Sequence, residues 1–250
     1  MNSKWFKYAA SAVVAGGMAV GGLSSSAQAG SLVLGDSGWK ASWSSAFDNA
    51  GGTFVTLTVL AEDANSVVLQ KVAAFRDAPD QYGYINAIEI NFEQIRSDAK
   101  PNIIFTSEQV SNDTGTSWNG FKFIIEDGQT GTPADTQFDV DATFNSGDPF
   151  DTSPFKFISA TGISSSPQVI TVGDGTLANG ETWLPGIGAG AGELVIHGAP
   201  ATDGSKRFVF KEQPLPGNVI PLPAAMWSAL SGLIGLGVFG SAKGLRRKMA

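Results

Sequence analysis

The residue that most invites a chemical reading is Ser37, in Gly35-Asp36-Ser37-Gly38. Hydrolases place a nucleophilic serine in such a context, but the serine needs a histidine to take its proton and a carboxylate to orient that histidine. The one histidine, His197, follows Glu193-Leu194-Val195-Ile196, so no Asp stands two residues before it, and the helices of an α/β hydrolase are missing. Gly-Asp-Ser-Gly is therefore read as a turn entering the first strand. One imidazole cannot make a multi-histidine metal site. The chain has no cysteine, which excludes disulfides, thiolate catalysis, iron-sulfur clusters and cysteine-ligated zinc.

The remaining candidates are carboxylates. Asp135, Asp139, Asp141, Asp148 and Asp151 offer hard oxygen ligands, and Asp139 with Asp141 is expected on one strand face, which makes that pair the calcium candidate. Their spacing fits neither an EF-hand loop nor a tandem calcium repeat, so they are read as solvated loop acids and no cofactor is assigned. Glycoside hydrolysis needs two carboxyls at a set separation, and nothing in the sequence selects such a pair. Gly186-Ile187-Gly188-Ala189-Gly190-Ala191 imitates part of a dinucleotide loop, but no strand precedes it and no helix follows. Residues 177–201 are read as a long surface loop, and the protein as noncatalytic.

These residues sit in an acidic, strand-rich region. Residues 30–223 hold 10 Lys and Arg against 23 Asp and Glu, a net charge of about −13 with histidine neutral, which repels nucleic acid and anionic lipid. Two-residue alternation recurs along it. Val55, Leu57 and Val59 oppose Thr56 and Thr58; Ile88, Ile90 and Phe92 oppose Glu89 and Asn91; Phe121, Phe123 and Ile125 alternate with Lys122 and Ile124. Phe155 and Phe157 flank Lys156, and Phe208 and Phe210 flank Val209. Asp127-Gly128, Gly147-Asp148-Pro149 and Gly173-Asp174-Gly175 punctuate these runs as turns. Only residues 61–78 hint at a helix. The expectation is all-β: an antiparallel β-sandwich, jelly-roll-like, over residues 30–213.

The two ends read as addresses. Lys4 and Lys7, an uncharged run and then Ala27-Gln28-Ala29 form a secretory signal peptide over residues 1–29, with signal peptidase cutting after Ala29 and before Gly30. Residues 214–220, with Pro214 and Pro216, are expected to be a stiff linker. Residues 224–242 carry no charge, and 19 helical residues reach about 28 Å, close to the thickness of a bilayer's hydrocarbon core. Lys243, Arg246, Arg247 and Lys248 follow at once, and the positive-inside rule keeps them in the cytoplasm, with the bulk of the chain outside.

Pro221-Leu222-Pro223-Ala224 precedes that span, and Trp227 sits where an aromatic marks the membrane interface. Proline motif, apolar span and basic cluster in this order resemble the C-terminal sorting signal of the PEP-CTERM class, in its VPLPA-type variant. The resemblance covers residues 219–248 and departs from the class in having Ile220 before the first proline and a looser basic tail. A second stretch, Asn112-Asp113-Thr114-Gly115-Thr116-Ser117-Trp118-Asn119-Gly120-Phe121, looks like a hairpin found in β-sandwich passengers of that class, with Trp118 read as a core plug rather than a sugar-stacking face.

The resemblance implies a Gram-negative-type bacterium in which an exosortase recognises residues 221–250. It implies transient tethering in the inner membrane, then delivery to the envelope or extracellular matrix, in an exopolysaccharide or biofilm setting. The partners so implied are exosortase, signal peptidase, the inner membrane and exopolysaccharide, with no nucleic acid. The alternative is an extracellular carbohydrate-binding module or polysaccharide-acting hydrolase on the same sandwich.

Overall fold

The structure is a computed structural model, and it describes residues 30–48, 52–127, 135–145, 149–162, 166–187 and 192–217. The signal-peptide residues Ala27 and Ala29, the motif Pro221, Leu222, Pro223 and Ala224, Trp227, and the basic residues Lys243, Arg246, Arg247 and Lys248 lie outside the described residues, as does Asp148. Among the described residues, no helix is long and apolar enough to cross a membrane.

The alternating segments become strands: β1 (Ser31–Val33), β2 (Trp39–Trp43), β3 (Phe54–Glu62), β4 (Ser66–Phe75), β5 (Ile88–Gln94), β6 (Asn102–Asn112), β7 (Trp118–Glu126), β8 (Gln137–Phe138), β9 (Lys156–Thr161), β10 (Gln168–Gly173), β11 (Thr182–Trp183), β12 (Leu194–His197) and β13 (Arg207–Pro216). One sheet has the order β1-β2-β5-β13-β7-β10-β9; the other runs β3-β4-β6-β12-β8, with β11 also paired to β6. The inward residues of both sheets form one apolar core. Rings meet across it: Phe105 of β6 stacks on Phe210 of β13 at 5.2 Å between centroids, and Phe75 of β4 meets Phe121 of β7 edge-on at 6.0 Å. The fold is all-β and β-sandwich-like, as the alternation predicts.

Several local expectations are corrected. Not every pairing is antiparallel, because β4 and β6 run parallel. The intervening β5 belongs to the opposite sheet, so the chain crosses the core twice and returns in its original direction. Residues 61–78 form no helix: they hold the end of β3 and all of β4, where Val67, Leu69, Lys71, Ala73 and Phe75 point inward at every second position. Alternation of that period buries one face only in a strand.

The stalk reading of the linker fails at its start, since β13 continues through Pro214 and Pro216, paired with Phe121 and Trp118 of β7. Pairing with β5 stops at Glu212, which leaves one edge of β13 open, and an open edge tolerates a missing N–H. Residues 177–201 are not loop throughout either. Trp183 of β11 is buried in the core, and β12 occupies an inner place between β6 and β8.

The pair Phe155 and Phe157 also divides. Phe155, just ahead of β9, is buried against Trp183 at 5.1 Å, whereas Phe157 on this edge strand is 43% exposed and rests on Phe144. Phe155 lies in the turn ahead of the strand, its amide donating to Thr152 O at 2.8 Å, so strand alternation does not reach it.

The segment after β6 turns a corner rather than closing a hairpin, because β6 and β7 lie in different sheets. Asn112, Thr114 and Trp118 are all buried there. Asn112 Nδ2 donates to the carbonyls of Thr116 (2.9 Å) and Leu177 (3.1 Å), while its Oδ1 accepts from Thr114 Oγ1 at 2.8 Å. Trp118 Nε1 donates in turn to Thr114 Oγ1 at 3.2 Å. Gly115 takes φ +81°, which glycine adopts without strain. Trp118 is thus a core plug with its polar end satisfied, and its face is closed to any sugar.

Candidate functional site

The least ordinary chemistry lies inside the sandwich. Lys71 comes from the middle of β4, where strand parity aims it inward between Leu69 and Ala73. Glu108 is its cross-strand partner on β6. A bulge puts it there: Leu69 opposes Phe105 but Gln70 opposes Ser107, so Thr106 is the extra residue and the inward parity switches from Ile103 and Phe105 to Glu108 and Val110. Glu212 reaches in from the other sheet, two residues beyond Phe210 on β13.

Lys71 Nζ lies 3.1 Å from Glu108 Oε2 and in contact with Glu212 Oε1, and all three side chains are fully buried. Burial pushes the Glu108 carboxyl up to about 8, against the pull of Lys71 and with the help of Glu212's charge. Burial also raises Glu212, again against Lys71. Burial works against the ammonium of Lys71, yet the two carboxyls more than offset it and hold the lysine above its ordinary value. At neutral pH Glu108 is therefore held protonated beside the Lys71 ammonium, which limits the charge left in the dry core.

His197 ends β12. Its Nδ1 lies 2.7 Å from Asn102 Oδ1 and its Nε2 2.9 Å from Asp139 Oδ2. Asp139 Oδ1 also accepts from Ala142 N at 2.8 Å. This carboxylate is thus engaged on both oxygens. Asp139 and Asp141 do not share a strand face, because β8 stops at Phe138 and Asp141 opens a short π-helical turn, Asp141–Asn145. Among the described residues, no group of three or more His, Asp or Glu gathers to hold a metal. Gly30 stands just before β1, and its carbonyl accepts from Trp43 N at 2.9 Å.

Ser37 lies in the turn between β1 and β2, one strand later than expected. It is buried, and its Oγ accepts from Trp39 N at 3.2 Å. His197 is engaged by Asn102 and Asp139 and not by Ser37.

Sequence reasoning missed the triad of Lys71, Glu108 and Glu212, although two of its members left a trace. Lys71 and Glu212 each sit in phase with apolar neighbours, an inward charge on an otherwise apolar face. Glu108 left none, because its phase is set by the bulge at Thr106. Compared with models of protein families, with curated proteins and with solved structures, the chain gives no match.

Proposed function

We propose that this chain is an exported, noncatalytic surface or extracellular-matrix protein of a Gram-negative-type bacterium: a jelly-roll-like passenger between a cleaved signal peptide and a C-terminal transmembrane sorting signal. An exosortase processes it after transient tethering in the inner membrane, and the product serves an exopolysaccharide or biofilm matrix. The observation that carries this reading is the order of three elements: Pro221-Leu222-Pro223-Ala224, an uncharged span over residues 224–242, then Lys243, Arg246, Arg247 and Lys248. Two features of the passenger agree with it. The last described strand ends at Pro216, ahead of the motif, and the passenger's acidic charge suits a solvated protein outside the cell.

The test replaces Pro221 and Pro223 with alanine, or the four basic residues with glutamine, and follows the protein through cell fractions. Unprocessed protein is expected to accumulate in the membrane fraction. Release at the unaltered rate overturns the reading.

One observation favours the carbohydrate-binding alternative enough to state it. Tyr82 and Tyr84 are 72% and 65% exposed, and both backbone amides donate to Asp80 Oδ1 at 2.8 Å, so a single ordered loop displays two aromatic faces. Sugars stack on such faces. Loss of polysaccharide retention on changing both tyrosines to alanine supports that reading, and unchanged retention removes it.

A further inference from the structure

Among the described residues, two buried side-chain oxygens have no hydrogen-bond partner, and both belong to the internal triad: Glu108 Oε1 and Glu212 Oε2. A buried polar atom left unpaired is costly, and an ion pair leaves two such atoms here unserved. The surroundings are apolar. Leu57 of β3 opposes Lys71, Ile88 of β5 opposes Glu212, and the stacked rings of Phe105 and Phe210 lie next along β6 and β13.

We propose that Lys71 and Glu212 condense into an intramolecular amide that ties the two sheets together, with Glu108 relaying the proton. The ammonium of Lys71 first gives a proton to the Glu212 carboxylate, leaving a neutral amine against a carboxylic acid. The Nζ lone pair attacks Glu212 Cδ, forming the Nζ–Cδ bond. Glu108 gives its proton to one Glu212 oxygen and takes one from Nζ, so it ends as it began. The Cδ–O bond breaks and one water leaves. Ammonium and carboxylate become amide and water, with no oxidant, reductant or cofactor.

Three physical arguments favour the bond over a lasting ion pair. The folded core holds amine and carboxyl in contact, and such positioning is equivalent to reactant concentrations of about 10^5 M or more. The reaction removes a cation and an anion from a medium that solvates neither. A core closed to solvent also lacks the bulk water that reverses amide formation. The product has a use for both unserved groups: protonated Glu108 can donate to the new carbonyl while its other oxygen accepts from the new N–H. The bond joins residues 141 positions apart, on β4 and β13, in a chain with no cysteine for a disulfide.

The test is a tryptic digest of the purified, folded protein read by tandem mass spectrometry. A branched peptide is expected, in which the segment from Ala41 through an uncleaved Lys71 is joined to the segment beginning at Glu212, the pair lighter by one water. Recovery of the linear peptide ending at Lys71 and the linear peptide beginning at Glu212, without the branched species, overturns the proposal. The wild-type digest decides this alone. Glu108→Gln keeps the shape but not the proton, and slows bond formation about 100-fold or more, so its digest is mostly linear. A folded Glu108→Gln protein that forms the branch as fast as the wild type refutes the relay.

Discussion

Lys71 and Glu108 face each other across the parallel pair β4 and β6, 3.1 Å apart and closed to solvent, because one extra residue at Thr106 turns Glu108 inward. The folded protein keeps the Glu108 proton up to about pH 8, whereas the unfolded chain loses it near the ordinary glutamate value of 4.5. Between those two values the folded state binds more protons than the unfolded state, so stability falls as pH rises. Glu212, raised by burial, acts in the same direction wherever it remains unbonded to Lys71. Calorimetric melting at steps from pH 5 to pH 8 is expected to show a declining Tm, and Glu108→Gln is expected to flatten the decline. A Tm that rises over that interval contradicts the assignment.

On the acid side Asp127 contributes, as does Glu62, whose carboxyl is lowered by its hydrogen bond from Lys100. Burial alone would raise the Asp127 carboxyl, but Lys206 Nζ at 2.6 Å and the amide of Thr136 at 2.8 Å outweigh that and hold it below the ordinary value. Its contribution to stability is complete above the unfolded aspartate value and disappears as pH falls through the lowered folded value. Tm should therefore drop on acidification below about pH 4, and Asp127→Asn should lose stability at pH 7 while showing a shallower acid limb.

The corner between β6 and β7 depends on Asn112, whose amide ties two backbone carbonyls to Thr114. Asn112→Ala removes these buried hydrogen bonds, although Leu177 O keeps the amide of Trp118, and should cost about 2 kcal/mol by denaturant unfolding. Trp118→Ala empties a large buried volume beside Phe75 and Phe121 and should cost about 4 kcal/mol. A loss under half a kcal/mol for either contradicts the structural role.

Strand identity was legible wherever apolar residues alternate without interruption, as in β5, β7 and the first half of β13. The signals failed where register shifts. The bulge at Thr106 hides Glu108 among Ser107 and Gln109, and Phe155 parts from Phe157 because it sits in the turn ahead of β9. Sheet membership was not legible at all. Asn112-Asp113-Thr114-Gly115 has hairpin chemistry, yet the strands beside it belong to opposite sheets, because pairing partners are chosen by long-range packing. The triad needed both kinds of information, the phase of three strands and the meeting of two sheets.

The proposed function requires that residues 1–29 and the C-terminal signal be removed on the way out of the cell. Intact-mass measurement of the protein from each cellular fraction reads both cuts together. The account predicts an extracellular or envelope form that begins at Gly30 and lacks the span and the basic tail of residues 224–250. Cytosolic protein that retains Met1, or surface protein that still ends at Ala250, contradicts it.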